Sequence, residues 1–322
     1  MRIVFFGTPV FASEILSFLL DQIKQQNQKK QAIEICAIVT QPDREKNHLH
    51  IAEVKRLHQT LNLSMPLFQP EKASNPEFIQ EISVLKPDLF IVAAYGQILK
   101  KALLDIPVKG AINIHSSLLP KYRGAAPMHR TLIAGEKTSG VTIMQMNEKM
   151  DEGDILNQSA LRISEEMNLG DLQEGLIKLS GPLLMKTVEE IAKGTLKPQK
   201  QDHALATYAP KIKPEELWLD WKLSAQDLHN RIRAFAPFPG ARCWIEIGAE
   251  GNRKQLKVLK SQIVDLKGVV GEVLKAEPGR LIVACGAKAL EVQVLKLEGK
   301  RELKAADFLR GLREPISFVV NA

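Results

Sequence analysis

Short apolar runs alternate with helix-like patterns through the first half of the chain. The run Arg2–Phe6 leads into Thr8 and Pro9, which suit the N-cap and first turn of a helix. Further apolar runs with the character of buried strands are Ile33–Val39, Asp88–Ala94, Gly110–His115 and Val141–Met146. The alternation predicts an α/β domain with a doubly wound, Rossmann-like, mostly parallel sheet, in which ligands bind at the carboxyl ends of the strands.

The pattern changes after a proline-containing segment at residues 197–216. Ser224 and Asp227 form a capping box for a helix. The apolar face of this helix consists of Leu228, Ile232 and Phe235. Five short strands separated by glycine-containing turns follow, at residues 242–247, 256–264, 271–277, 280–285 and 290–298. These strands predict a small antiparallel, OB-like β-barrel.

The net charge of the chain is unevenly distributed, and it changes near the same proline-containing segment. Of a net charge of +7, residues 211–322 carry 20 Lys and Arg against 14 Asp and Glu, a net of +6, and the earlier residues carry 24 against 23, a net of +1. Length and pattern together predict a first domain at 1–195, a linker at 196–213 and a basic barrel domain at 214–322. A basic domain beside a nearly neutral one suggests a polyanionic partner, and the alternative is a merely soluble, solvated surface.

The strand at 110–115 ends in two polar side chains, Asn113 and His115. Residues two apart on a strand face the same side, so the amide and the imidazole converge on one point while Ile114 faces the core. Asp151 follows the neighbouring predicted strand, and a carboxylate beside an imidazole fixes the tautomer of the ring and favours its charged form. The pattern therefore predicts a reactive site, and the alternative is a strand end with a structurally satisfied histidine.

The sequence gives little support to other kinds of site. Asp151, Glu152 and Asp154 lack the ligand spacing of a calcium loop, so we expect no metal. No apolar run reaches the roughly 18 residues of a membrane span, and the amino terminus lacks a signal peptide, so we expect a cytoplasmic protein without membrane association. Nothing requires a dimer, and we expect a monomer. Three cysteines stand alone as expected free thiols: Cys36, Cys243 and Cys285.

Seven motifs, in order along almost the whole chain, resemble the methionyl-tRNA formyltransferases. They are GTPVFA, VTQPD, AYGQIL, NIHSSLLPKYRGAAP, SGVTIMQM, DEGDIL and RAFAPFPGA. NIH, SLLPxxRGAxP and DxGDI are shared with the wider superfamily of formyltransferases that use 10-formyltetrahydrofolate. VTQPD, GVTIMQM and the basic barrel point to the family that acts on tRNA.

The resemblance implies an activity and a set of site residues. The activity is transfer of the formyl group of 10-formyltetrahydrofolate, a donor co-substrate, to the free α-amino group of methionine on initiator methionyl-tRNA, for translation initiation. The implied catalytic residues are Asn113, His115 and Asp151. The implied folate-binding residues are Ser117, Leu118, Leu119 and Pro120 in one loop, with Tyr95, Gly96 and Gln97 around the pterin. The expected tRNA contacts are Arg44, Lys46, Lys211, Lys213, Arg231 and Arg233, the last two turned away from the apolar helix face.

One segment departs from the family pattern. After VTQPD the family carries a glycine-rich basic loop of the form PxGRGKK, whereas this chain reads REKNHLHIAEVKR. Arg44 and Lys46 remain, but the glycines and the basic core are absent. The departure affects how the protein would recognise the acceptor stem of the tRNA. We expect His48 and His50 to be loop residues without a role.

Two further functions are compatible with parts of the pattern. A sibling formyltransferase or hydrolase that acts on a ribonucleotide or an amino-sugar nucleotide would share the same catalytic trio, but it would not need a basic barrel. A protein that only binds tRNA would need the barrel but would not need Asn113, His115 and Asp151 together.

Overall fold

A seven-stranded sheet forms the framework of the first part of the chain. The computed structural model describes residues 1–27, 33–46, 48–248, 252–277 and 279–320. The elements of this part are β1 (Arg2–Gly7), α1 (Val10–Asn27), β2 (Glu34–Val39), β3 (Arg44–Lys46), β4 (His48–His50), α2 (Glu53–Thr60), β5 (Leu67–Phe68), α3 (Pro76–Val84), β6 (Leu89–Ala93), α4 (Lys101–Leu104), β7 (Ala111–His115), α5 (Pro127–Ile133), β8 (Thr138–Gln145), β9 (Ile155–Arg162) and α6 (Leu169–Lys193). Within the described residues, no helix combines the length and the apolar character that a membrane span requires.

The sheet runs in the order β5-β2-β1-β6-β7-β8-β9. Strand β1 pairs in parallel with β2 and β6, β2 with β5, and β6 with β7, whereas β8 pairs with β7 in the antiparallel direction. This topology confirms the predicted doubly wound, mostly parallel sheet. The carboxyl ends of β1, β6 and β7 therefore meet at one edge, and His115 lies at that edge.

The central strands are buried because they are continuous apolar runs. Ile3–Phe6 of β1 and Leu89–Ile91 of β6 are fully buried. The Phe6 ring packs against Phe90 with a centroid separation of 5.0 Å and against Tyr95 at 5.4 Å. Because this core is close-packed, the carboxyl ends of these strands are held in place, and so are the polar residues that follow them.

The second part of the chain folds into a nearly closed antiparallel barrel. Two 3₁₀ turns, His203–Leu205 and Pro214–Leu217, come before α7 (Ala225–Phe235). The later elements are β10 (Ala241–Ile247), β11 (Arg253–Val264), β12 (Val273–Glu277), β13 (Arg280–Ala284), β14 (Ala289–Leu297), β15 (Glu302–Lys304), α8 (Ala305–Arg310) and β16 (Ile316–Phe318). The strand order is β12-β13-β14-β11-β10-β16, with β15 beside β14. The predicted barrel is confirmed, and β15, α8 and β16 are additions that the sequence did not predict.

The barrel core contains the apolar face of α7. Leu228, Ile232 and Phe235 are buried in one cluster with Trp221, and the Ser224 hydroxyl caps the helix by accepting from the Asp227 N–H at 3.1 Å. The predicted free thiols are also confirmed: Cys36, Cys243 and Cys285 form no disulfide. Burial raises the pKa of the Cys285 thiol to about 12, so it is inert at neutral pH.

The two compact units do not follow the predicted contiguous domains. One unit contains residues 1–124, 138–161 and 173–209, and the other contains 125–137, 162–172 and 210–322. The segment 125–137 belongs with the barrel because Ile133 packs against the barrel core and Arg130 forms a two-bonded ion pair with Glu216, at 2.5 and 2.9 Å. The Arg130 guanidinium lowers the pKa of the Glu216 carboxyl to about 2. Residues 196–209 of the predicted linker belong to the first unit.

Arg233 is placed differently from its prediction. The side chain is 6% exposed, and its guanidinium donates to Asn230 Oδ1 at 3.1 Å and to the carbonyls of Ser164 and Met167 at 3.2 and 3.4 Å. The helical period predicted one buried face of α7, but the segment 162–172 covers a second. The expectation that Arg233 is free to face solvent is therefore wrong, whereas its contact with tRNA stays a prediction.

Candidate active site

Asn113 and His115 lie on the same face of β7. The strand runs between β6 and β8, with Asn113 opposite Val92 and His115 opposite Thr142. His115 is 6% exposed, whereas Asn113 is half-buried. The Asn113 side chain forms no hydrogen bond to any residue that the structure describes, so its N–H and C=O groups are available to a substrate.

The His115 ring lies between two acceptors. Its Nε2 is 3.0 Å from the carbonyl oxygen of Tyr122, and because a carbonyl only accepts, Nε2 carries the proton of that bond. Its Nδ1 is 3.7 Å from Asp151 Oδ2, beyond the length of an N–H···O hydrogen bond. The Nδ1 side of the ring therefore faces the carboxylate across a gap and can donate to a substrate atom.

The turn after β8 delivers Asp151 to His115. Asp151 has φ 54°, in the left-handed region, and its Oδ2 accepts from the backbone N–H of Gly124 at 2.8 Å. Gly153 approaches the Gln145 carbonyl so closely that a Cβ would lie 1.7 Å from that oxygen, and only glycine fits there. Backbone geometry thus requires glycine at 153, and the turn places the Asp151 carboxylate beside His115.

The predicted folate loop is held mainly by bonds within the protein. Ser117 is fully buried, and its hydroxyl donates to the Lys121 carbonyl at 2.6 Å. Thr142 Oγ1 donates to the Ser117 carbonyl at 2.7 Å and accepts from the Leu119 N–H at 3.1 Å. Leu119 is also buried, so Leu118 and Pro120 are the half-buried side chains of the loop that remain open to a ligand.

The predicted pterin residues differ in their exposure. The Tyr95 side chain is 1% exposed in the core beside Phe6, and burial raises its pKa to about 12. Its hydroxyl has no hydrogen-bond partner within the described parts of the chain. Gln97 accepts from the Ala73 N–H at 2.8 Å, and a Cβ on Gly96 would meet the Gln41 amide at 2.3 Å. Tyr95 is thus part of the core, whereas Gly96 is exposed and Gln97 half-buried, and contact of this segment with the pterin stays a prediction.

Family comparison covers both units of the chain. Residues 1–188 match the formyl transferase family, and residues 211–313 match the formyl transferase C-terminal domain. The chain belongs to the formyltransferase family. It is 40% identical, over its whole length and 98% of the relative, to the methionyl-tRNA formyltransferase of Protochlamydia amoebophila. It is 41% identical to that of Citrifermentans bemidjiense, over 97% of this chain and 94% of the relative.

Solved structures share the fold of this formyltransferase. HypX from Aquifex aeolicus, in complex with tetrahydrofolic acid, has a TM-score of 0.64 and 18% identity over 98% of this chain. The chain spans 48% of the length of HypX. The sugar 3N-formyl transferase WlaRD, with dTDP and 5-N-formyl-THF, has a TM-score of 0.63 and 19% identity over 94% of this chain and 99% of its own.

The cations predicted to contact tRNA lie in different surroundings. Lys211 and Lys213 are exposed, and Arg231 is half-buried with its charge close enough to help lower the pKa of Glu216. The backbone of Arg44 and Lys46 forms β3, which pairs with β4. Their side chains lie outside the described residues. In the described parts of the formyltransferase no group of three or more His, Cys, Asp or Glu is arranged to hold a metal ion.

Sequence reasoning missed two buried residues beside Asp151. Arg123 belongs to the RGA motif and is 1% exposed, while Gln201 follows the helix α6 and is 5% exposed. Gln201 donates to the Asp151 carbonyl at 2.9 Å, although 50 residues separate them. The only sequence feature that pointed to either residue was the position of Arg123 within the RGA motif.

Proposed function

We propose that this formyltransferase transfers the formyl group of 10-formyltetrahydrofolate to the free α-amino group of methionine on initiator methionyl-tRNA. The observation that carries the chemistry is the placement of Asn113, His115 and Asp151 at the carboxyl end of β7. The acceptor follows from relatives named methionyl-tRNA formyltransferase, which are 38–41% identical across both units. The alternatives with a nucleotide acceptor, or with binding alone, have no such support.

Each residue of the trio has a chemical role in this reaction. Attack of an amine on a formyl carbon builds negative charge on the formyl oxygen, and preorganised donors stabilise that charge. Asn113 supplies an uncharged N–H donor, and His115 with a proton on Nδ1 supplies a second. Asp151, 3.7 Å from that nitrogen, stabilises the protonated ring and accepts the proton lost by the amine through a bridging water. The bond between the formyl carbon and N10 of the folate then breaks, N10 takes up the proton through the same water, and tetrahydrofolate leaves, so no acyl-enzyme is required.

The donor binds beside the trio in this proposal. Leu118 and Pro120 are the loop side chains that a folate ring can contact, because Ser117 and Leu119 are buried. Gln158 holds the loop by donating to the Leu119 carbonyl at 2.8 Å. The structural neighbour in complex with tetrahydrofolic acid supports a folate donor.

The function is tested by comparing acceptors. Purified enzyme with 10-formyltetrahydrofolate is supplied in turn with charged initiator methionyl-tRNA, glycinamide ribonucleotide and an amino-sugar nucleotide, and formylated product is quantified. We expect product with the charged tRNA alone. Binding of tRNA without formyl transfer, or a faster reaction with either nucleotide, would overturn the proposal.

A row of cations on the barrel offers a surface for tRNA phosphates. Arg242, Lys257 and Lys296 lie directly opposite one another on β10, β11 and β14. Partial burial, with the charges of Arg242 and Lys296, lowers the pKa of Lys257. Like charges opposite each other on a sheet are destabilising, and a phosphate backbone compensates them. Trp244 on the same strand as Arg242 stacks on Trp218 at 5.2 Å and gives a base a flat surface nearby.

This cation row predicts the salt dependence of tRNA binding. Changing Arg242, Lys257 and Lys296 together to glutamine should lower the slope of log affinity against log salt by about 2 to 3, since each phosphate contact contributes about 0.7–0.9. Affinity measured by filter binding over a salt series checks this.

The control removes three charges from the other unit. Lys101, Lys178 and Lys193 each pair with a carboxylate of their own helix region, Asp105, Glu174 and Glu189. Their triple glutamine variant should keep the wild-type slope. Equal changes in the two variants would show that only total charge matters, against a specific surface.

A further inference from the structure

Arg123 is a buried cation whose three guanidinium nitrogens each lie beside an acceptor. Its Nε and Nη2 donate to Gln201 Oε1 at 3.1 and 2.8 Å, and Nη2 also donates to His203 Nδ1 at 3.2 Å. Its Nη1 lies 3.5 Å from Glu152 Oε1. A buried guanidinium is costly unless it is paired, so this arrangement is a fixed one. Its charge thus contacts Glu152 of the turn that carries Asp151.

Gln201 joins this arginine to the turn. The two ends of its amide have separate tasks: Oε1 accepts from Arg123, and Nε2 donates to the carbonyls of Asp151 and Gly153 at 2.9 and 2.7 Å. Because the arginine can only donate and the carbonyls can only accept, the amide has a single orientation that satisfies both. The Gln201 side chain is therefore fixed, and the turn is fixed with it.

The turn needs such support because its backbone is strained. Asp151 is a non-glycine residue at φ 54°, a conformation that persists only where the surroundings hold it. Gly124 N–H holds the carboxylate at Oδ2, while Gln201 holds the backbone on either side of Glu152. Loss of the second support would let the peptide relax and carry the carboxylate away from His115.

We propose that Gln201 and Arg123 are positioning residues for formyl transfer, which act by holding the Asp151 carboxylate at His115. This rests on the proposed function, because it takes the role of Asp151 from it. Neither residue touches a substrate. Their effect is on the chemical step and not on the binding of folate or tRNA.

Gln201→Glu separates the two tasks of the amide. A carboxylate still accepts from Arg123 but repels the two carbonyls, so the turn is released while the arginine stays paired. We expect kcat to fall about 30-fold, with KM for the folate and for the tRNA within twofold of wild type. Asn157→Asp is the matched control: it likewise changes an amide into a carboxylate, at a half-buried side chain that donates to Thr187 and Glu190, and kcat should stay at the wild-type level.

A double-mutant cycle with Asp151→Asn tests whether the effect of Gln201 on kcat depends on Asp151. If Gln201 acts through Asp151, Gln201→Glu adds less than threefold to the loss in the Asp151→Asn background. Arg123→Lys, which keeps the charge but loses the two-bonded contact with Gln201, should give a smaller loss of kcat with the same non-additivity. The inference would be overturned by a full 30-fold loss in the Asp151→Asn background, by a wild-type kcat in both variants, or by an effect confined to KM. A wild-type enzyme without formyl transfer to methionyl-tRNA would instead count against the proposed function.

Discussion

Replacing His115 with alanine is expected to lower kcat for formyl transfer by about 10³-fold. The change removes the proposed donor for the negative charge that forms in the reaction, and it leaves Asp151 without the ring that its carboxylate faces at 3.7 Å. The ring is 6% exposed at the strand edge, so the substrates keep most of their other contacts and KM should change little. Single-turnover transfer to charged initiator tRNA measures the chemical step directly.

His58 provides a matched control for this prediction. Its Nε2 bonds to the carbonyl of Met65, seven residues on, at 2.8 Å, just as His115 bonds to the carbonyl of Tyr122 seven residues on. No carboxylate among the described residues pairs with the His58 ring, and His58→Ala should keep the wild-type kcat. If His115→Ala retains more than a tenth of the activity, the ring does not serve the chemical step.

Replacing Trp221 with alanine is expected to lower the free energy of unfolding by about 3–5 kcal/mol. The indole is fully buried in the barrel core, with its ring edge-on to Phe318 at 5.0 Å. Removing it leaves a cavity that the antiparallel strands cannot fill, since they are fixed by their hydrogen bonds. Denaturant unfolding followed by circular dichroism measures the loss.

The conservative change Trp221→Phe discriminates between packing and hydrogen bonding. The indole Nε1 has no hydrogen-bond partner in the described residues, so phenylalanine removes an unsatisfied buried donor while keeping an aromatic ring. The loss should be less than half that of the alanine variant. Equal losses in the two variants would contradict a packing role and point to a bond of the indole N–H.

Local periodicity predicted the elements that depend on neighbouring residues. The capped helix after Ser224 and five barrel strands lie where the pattern placed them. The same alternation put Asn113 and His115 on one face of β7. These features follow from side-chain direction and backbone preference within a few residues, which a single sequence records.

Features set by distant contacts could not be predicted in this way. Arg233 was assigned to solvent because nothing in α7 shows that Ser164 and Met167 lie against it. Tyr95 was assigned to a ligand pocket, although its ring completes the core beside Phe6. Gln201 was taken as part of a linker, since its two bonds to the Asp151 turn join residues about 50 apart. Each of these depends on which segments meet in the folded chain.

Because the two compact units alternate along the chain, neither unit can be exchanged as one continuous segment. The chain passes from one unit to the other five times, after residues 124, 137, 161, 172 and 209. A cut at 209 would strip Ile133 and Arg130 of the barrel that packs and pairs with them. A chimera with the barrel of another protein would therefore have to exchange three separate stretches, two of them inside the formyl transferase family match at 1–188. A single crossover therefore cannot exchange the barrel unit whole.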